Sequence, residues 1–171
     1  MISRILAWVI LIFGGLSLGI YLDINHFSLF WYSWIWHLFS FFIGLALLKL
    51  VIKISKNTGR TLAKHGKRGQ LKRMETNQLV KEGVYSYMRH PMHLGLFLFP
   101  MSFAFLSGSL SFILIIAPLE IILMLIMIYT IEEPEAIKKF GNDYLEYKKQ
   151  VPAFSFSKQS IQKLLTNQAK N

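Results

Sequence analysis

Two long runs near the start of the chain carry no charge: Ile5–Leu22 and Leu29–Leu48. A bilayer core offers the backbone no water to bond. A run approaching ~20 uncharged residues therefore reads as a spanning helix that satisfies its own N–H and C=O groups. A second run follows the first directly, and no small-residue cleavage site lies between them. The first run is thus expected to be a span and not a cleaved signal. A third apolar stretch, Met92–Ile131, carries a single charge, Glu120. At about 40 residues it is too long for one span and suits two. Leu106-Ser107-Gly108-Ser109 is a turn signal within it. The stretch is therefore expected to be a helical hairpin with arms Leu94–Leu106 and Leu110–Ile131. The predicted fold class is all-α: a polytopic membrane protein of about four transmembrane helices, with a C-terminal helical hairpin and a cytoplasmic C-terminal segment.

Composition agrees and adds an orientation. The chain is 53% hydrophobic, yet its net charge is +10. Such hydrophobicity excludes a disordered chain and is too high for an ordinary soluble DNA-binding domain. The chain has no cysteine, which excludes disulfides, Cys-based zinc sites, iron–sulfur clusters and a Cys nucleophile. Every Lys and Arg lies at Arg4, in the block Lys49–Pro91, or in the tail from Glu132 to Asn171. The connections Asp23–Ser28 and Ser107–Ser109 have none. With four spans, all the basic segments fall on one side, and the positive-inside rule makes that side cytoplasmic. The termini and the basic loop are expected there. Gly59, Gly66 and Gly69 are expected to break any long helix in the basic block. One membrane domain is expected: residues 1–54 as two spans, 55–91 as a basic loop, 92–131 as the hairpin, 132–171 as the tail. The basic block reads as an orientation and lipid-headgroup signal. No motif for nucleic acid is present.

Chemistry-bearing residues concentrate at Gly83–Gly95, where the basic block re-enters the membrane. Pro91 suits the first turn of a helix. Arg89 and His90 would then stand at its positive end, a place for an anion or carboxylate, or for interfacial anchors. Glu132 and Glu133 end the last apolar stretch; they read as a cation or ammonium site or as a solvated helix end. The hairpin would bring Arg89, His90, His93 and the glutamate pair to one place. Glu120 is an intramembrane carboxylate, protonated, bonded or functional, and His37 reads as an interhelical hydrogen-bond partner. His90 and His93 share a helix face, but no carboxylate or third His stands at a typical ligand spacing, so no metal is expected. No phosphate loop or strand-preceded GxGxxG exists, which excludes a soluble Rossmann-type domain.

Leu79-Val80, Gly83, Tyr85, Arg89-His90-Pro91 and Gly95 resemble the pattern LVxxGxYxxxRHPxYxG of the isoprenylcysteine carboxyl methyltransferase and phospholipid methyltransferase superfamily. Glu132-Glu133, Phe140-Gly141, Tyr144, Tyr147 and Val151-Pro152 resemble its second element. The resemblance covers Leu79–Phe154. It implies an integral membrane enzyme that uses S-adenosylmethionine, with a lipophilic or small acceptor entering from the bilayer. Carried over by position, Gly83, Val84 and Tyr85 would lie along the cofactor. Arg89 and His90 would hold its polar end or the reacting site. Glu132 and Glu133 would contact its amino or ribose groups, or orient Arg89. Arg89, His90 and His93 are the candidate catalytic residues. His93 departs from the pattern, which has Tyr there. Two other readings belong beside this one: an NADPH-dependent membrane reductase of the sterol-reductase type, and a non-catalytic membrane protein retaining the fold.

Overall fold

The computed structural model describes residues 2–66 and 77–166, with side chains from residue 6 onward. The basic residues Lys67, Arg68, Lys72 and Arg73, with Gly69 and Glu75, lie outside the described residues, as does Lys170. Among the described residues the chain is all-α, with helices α1 (Ile2–His26), α2 (Ser28–Trp31), α3 (Trp34–His65), α4 (Pro91–Ser107), α5 (Ala117–Met127), α6 (Glu133–Phe140), α7 (Asn142–Gln150) and α8 (Lys158–Leu165). π-helical turns at Phe112–Ile116 and Ile128–Glu132 join α5 to its neighbours, so one continuous helix runs from Phe112 to Phe140. Leu6–His26, Trp34–His65 and Phe112–Phe140 are each long and apolar enough to cross a membrane, and Pro91–Ser107 is a shorter apolar helix.

Several boundaries differ from expectation: α1 runs past Leu22 to His26, and α4 begins at Pro91 instead of Leu94. The second span begins at Trp34 instead of Leu29, because Ser33 caps it: its hydroxyl accepts from the Trp36 N–H at 3.3 Å. The helix also does not break at Gly59. It continues through the first part of the basic block to His65, since a single glycine costs only ~1 kcal/mol and Lys and Arg are good helix formers. Thr58 and Thr61 return their hydroxyls to the carbonyls of Ile54 and Asn57. Finally, the last apolar helix does not stop at Ile131 but runs on to Phe140, with Pro134, which has no N–H to offer, following the π-turn.

The chain forms two compact units, residues 1–50 with 97–126, and residues 51–96 with 127–171. The first is held by close backbone approach. Gly15 and Gly19, one helical turn apart on α1, face the segment 109–120: a Cβ on Gly19 would stand 2.7 Å from the Ser109 hydroxyl, and one on Gly15 2.8 Å from Ile116. Small residues at such spacing let membrane helices pack where no hydrophobic force separates protein from lipid. Ser40 donates to the Phe105 carbonyl at 2.5 Å, and a Cβ on Gly44 would stand 2.6 Å from the Leu106 nitrogen. The expected turn is present at Gly108, where φ is +69° and a side chain would collide with the His37 ring. The Trp36 indole donates to the Gly108 carbonyl at 2.7 Å, and His37 donates to the Trp31 carbonyl at 2.7 Å. Phe112, Ile113, Ile116 and Ala104 form the dry centre. Glu120 is buried here with neither oxygen hydrogen-bonded, and Asp23 accepts from the Ser111 N–H at 2.8 Å. Ile10, Phe13, Ile35, Phe42 and Leu114 are exposed. So broad an apolar surface belongs in lipid.

These contacts predict opposite outcomes for two glycines of α3. Gly44→Val meets backbone that cannot yield and should lower the melting temperature of the detergent-solubilised protein. Gly59→Ala finds open space, with nothing within 4 Å, and should raise stability by about 0.5–1 kcal/mol. Thermal unfolding followed by circular dichroism checks both.

Candidate functional site

The second unit carries the chemistry-bearing residues. Gly83 adopts φ +64°, the left-handed region open to glycine, and starts a tight turn over Gly83–Ser86. The Ser86 hydroxyl closes it by donating to the Gly83 carbonyl at 2.8 Å. The turn buries Val84 and Tyr85. The chain then pairs with the C-terminal segment: the Arg89 N–H donates to the Pro152 carbonyl at 2.9 Å and the His90 N–H to the Ala153 carbonyl at 3.1 Å. Pro91 then takes the first position of α4, as expected. Pro152 and Ala153 thus fix the backbone of Arg89 and His90.

Glu133 is the centre of the cluster. It is 1% exposed. One of its oxygens accepts from Arg89 Nη2 at 2.5 Å, from Arg89 Nε at 3.1 Å and from His90 Nε2 at 3.2 Å; the other accepts from Lys148 Nζ at 2.5 Å. A buried charge is tolerable when paired and bonded in this way. The far side of Arg89 donates to the carbonyls of Val151 at 2.5 Å and Lys148 at 3.3 Å, which serves the end of α7. Burial pushes the His90 imidazole below its ordinary 6.5, against the opposing pull of Glu133. Glu132, one residue earlier, has a different neighbour: His93 Nε2 lies 3.1 Å from its Oε1. Tyr147 donates to the Tyr85 carbonyl at 2.5 Å, and burial raises both phenols well above their ordinary 10.0, so both stay neutral.

Arg89, His90, Glu132, Tyr85, Tyr144 and Tyr147 line a cavity of about 170 Å³ whose apolar walls are Leu62, Leu79, Val80, Ala136 and Phe140. A second cavity of about 570 Å³ shares Gln78, Leu79, Val80 and Phe140 with it and is lined by Lys64, His65, Lys81, Glu82 and Asp143. His65 Nδ1 lies 2.7 Å from a Glu82 carboxylate oxygen there. The Tyr144 hydroxyl is buried without a hydrogen-bond partner.

Arg89, His90, His93, Glu132 and Glu133 therefore lie together, while Gly83 and Val84 build the turn that sets Tyr85 in the cavity wall. Glu133 does not line the cavity. Lys148 was not among the sequence candidates; in the sequence it is one of several tail lysines, and nothing local marks its reach to Glu133. Likewise, Glu132 stands 39 positions beyond His93, so no local spacing reveals that His90, His93 and Glu132 bring one ligand atom each to within 4.8 Å of one another.

The phospholipid methyltransferase family profile matches residues 39–143, which include these five residues. Protein-S-isoprenylcysteine O-methyltransferase of Schizosaccharomyces pombe is 32% identical over 82 residues, 48% of this chain. The match spans 34% of that relative's length. No solved structure matches the chain significantly.

The cluster predicts unequal costs. Glu133→Gln leaves Arg89 and Lys148 facing an uncharged amide and should destabilise by about 3–5 kcal/mol. Lys148 is 42% exposed at its side chain, and Lys148→Ala, which leaves Arg89 and His90 on the other carboxylate oxygen, should cost less, about 1–3 kcal/mol. Chemical or thermal unfolding in detergent compares them. Because the folded His90 takes a proton at lower pH than the unfolded chain does, its share of stability is complete above pH 6.5 and is lost as pH falls through the folded value. Melting temperature should decline over that window, and less so in a His90→Asn variant.

Proposed function

The chain belongs to the phospholipid methyltransferase family, and on that premise we propose that it is an integral membrane methyltransferase using S-adenosylmethionine. The observation that carries the reading is the cavity at Arg89 and Glu132. Its lining suits a ligand that is apolar at one end and zwitterionic at the other. Leu62, Leu79, Val80 and Phe140 offer an apolar wall for a nucleobase, and the buried Tyr144 hydroxyl is an orphan that a ligand hydroxyl or carboxylate would satisfy. Arg89 suits the carboxylate and Glu132 the ammonium or ribose hydroxyls. Alone the cavity is below the ~300–1,000 Å³ common for ligand sites; the adjoining one, across Leu79, Val80 and Phe140, supplies the remaining room.

When bound, S-adenosylmethionine supplies an electrophilic methyl group on a sulfonium. The protein's own residues have three tasks. The Gly83–Ser86 turn holds Tyr85 in the wall, and the Tyr147 hydroxyl anchors that turn. Glu133 positions Arg89 and His90. His90, kept neutral by burial, and His93, paired with Glu132, are bases available to an acceptor that must lose a proton, such as a protonated amine. A carboxylate or thiolate acceptor needs no base. The acceptor we propose is lipophilic or small: an isoprenylcysteine-like carboxylate, a phospholipid amine or a thiol. The positive-inside rule, applied to the basic segments, supports a site that opens to the cytoplasmic face.

Purified protein in detergent should bind S-adenosylhomocysteine by titration calorimetry. Tyr144→Phe should weaken that binding by about tenfold, the cost of one buried hydrogen bond. Stabilisation by NADPH with no response to S-adenosylhomocysteine would overturn the reading in favour of a reductase.

A further inference from the structure

We propose that one face of α3 is a binding surface for an anionic phospholipid, with the acyl chain along its apolar half and the headgroup at Lys49, Lys53 and Lys56. The proposal rests on α3 alone and does not depend on the methyl-donor reading. Leu38, Phe42 and Leu45 share that face with the three lysines: at ~100° per residue, all six fall within an arc of about 80°. All six are exposed. The opposite face is the packed one, where Ser40, Val51, Ile54 and Thr58 are buried. Arg60 continues the cationic half, because α3 runs through Gly59 instead of breaking there. The helix contains no Asp or Glu, and among the described residues none of the three lysines is in an ion pair.

The order of residues along the face selects the occupant. The twenty residues 34–53 match the ~20 that a hydrocarbon core requires. The lysines therefore stand where a bilayer passes from hydrocarbon to headgroups, and the face turns from apolar to cationic at that same level. A phospholipid carries its apolar and anionic parts in this order. A nucleic acid, an acidic protein or a free phosphate would use the cationic half alone and leave Phe42 and Leu45 uncovered. Lysines three and four residues apart on a helix have Cβ atoms about 5–6 Å from each other, so neighbouring ammonium groups can reach one phosphate. Juxtamembrane cations are attracted to anionic headgroups in this way. Orientation alone does not explain the arrangement. The positive-inside rule counts cations on one side of the membrane and is indifferent to helix face, yet Lys49, Lys53, Lys56 and Arg60 all lie on one.

The test reconstitutes the full-length protein in phosphatidylcholine vesicles holding a minor fraction of phosphatidylglycerol, with spin-labelled lipids whose immobilised fraction reports contact with the protein. Spin-labelled phosphatidylglycerol should be preferred over spin-labelled phosphatidylcholine by at least ~5-fold, the preference that one lysine near a headgroup supplies. The triple variant Lys49→Gln/Lys53→Gln/Lys56→Gln should lose most of that preference. Lys138→Gln/Lys149→Gln/Lys158→Gln, which removes as many exposed lysines from the tail, should keep it. Both variants should retain the helical circular-dichroism signal. Equal immobilisation of the two lipids by the wild type, or an equal loss in the two triple variants, would overturn the proposal. A preference that collapses on adding inorganic phosphate or polyglutamate at matched ionic strength would assign the face to a soluble anion and overturn it as well. S-adenosylhomocysteine titration is scored separately, so loss of the methyl-donor reading leaves the lipid result standing.

Discussion

One buried carboxylate organises the second unit. Glu133 is surrounded by Arg89, His90 and Lys148, and those three come from the segment before α4, from its first capping position and from α7. Burying an anion is costly unless every lone pair finds a donor. That condition obliges α6, the Arg89–His90 segment before α4, and α7 to converge. Arg89 extends the arrangement by serving the carbonyls at the end of α7. The paired backbone at Pro152 and Ala153 then holds the segment from behind. The Arg89 and His90 side chains, which line the cavity, take their positions from this centre.

The first unit follows a different logic. In lipid, apolar contact gives little preference for protein over bilayer, so approach distance decides which helices pair. Gly15, Gly19, Ser40 and Gly44 permit that approach, and the Trp36 and His37 side chains secure the Gly108 turn by direct hydrogen bonds. Large side chains such as Ile10 and Phe13 remain outside. The two units thus show two kinds of specification, one steric and one ionic, in a chain with no cysteine to cross-link it.

Much of this was legible in the residue order. Uncharged runs marked the membrane helices because hydrocarbon imposes a length and excludes charge. Pro91 marked the start of α4 and Ser107-Gly108-Ser109 its end, since both signals are local. The proximity of Arg89 and His90 to Glu132 and Glu133 followed from the hairpin. What escaped was set by competition between local and tertiary preferences. Gly59 is a weak helix breaker amid strong helix formers, so α3 passes through it. Ser33 outweighed the continuous hydropathy of Leu29–Leu48. Lys148 carries no local mark of its partner, and neither does the Tyr144 hydroxyl.

The π-turn at Ile128–Glu132 gives the adjacent glutamates unequal standing. Neighbours on a helix point about 100° apart, and the wider turn ends between them. Glu132 faces His93 and the cavity; Glu133 faces inward to three cations or donors. The doublet is therefore a division of labour and not a reserve: neither carboxylate can stand in for the other, since each is committed by its angle before any partner arrives. The same chemical group, repeated once, acts as keystone at one position and as a surface open to exchange at the next.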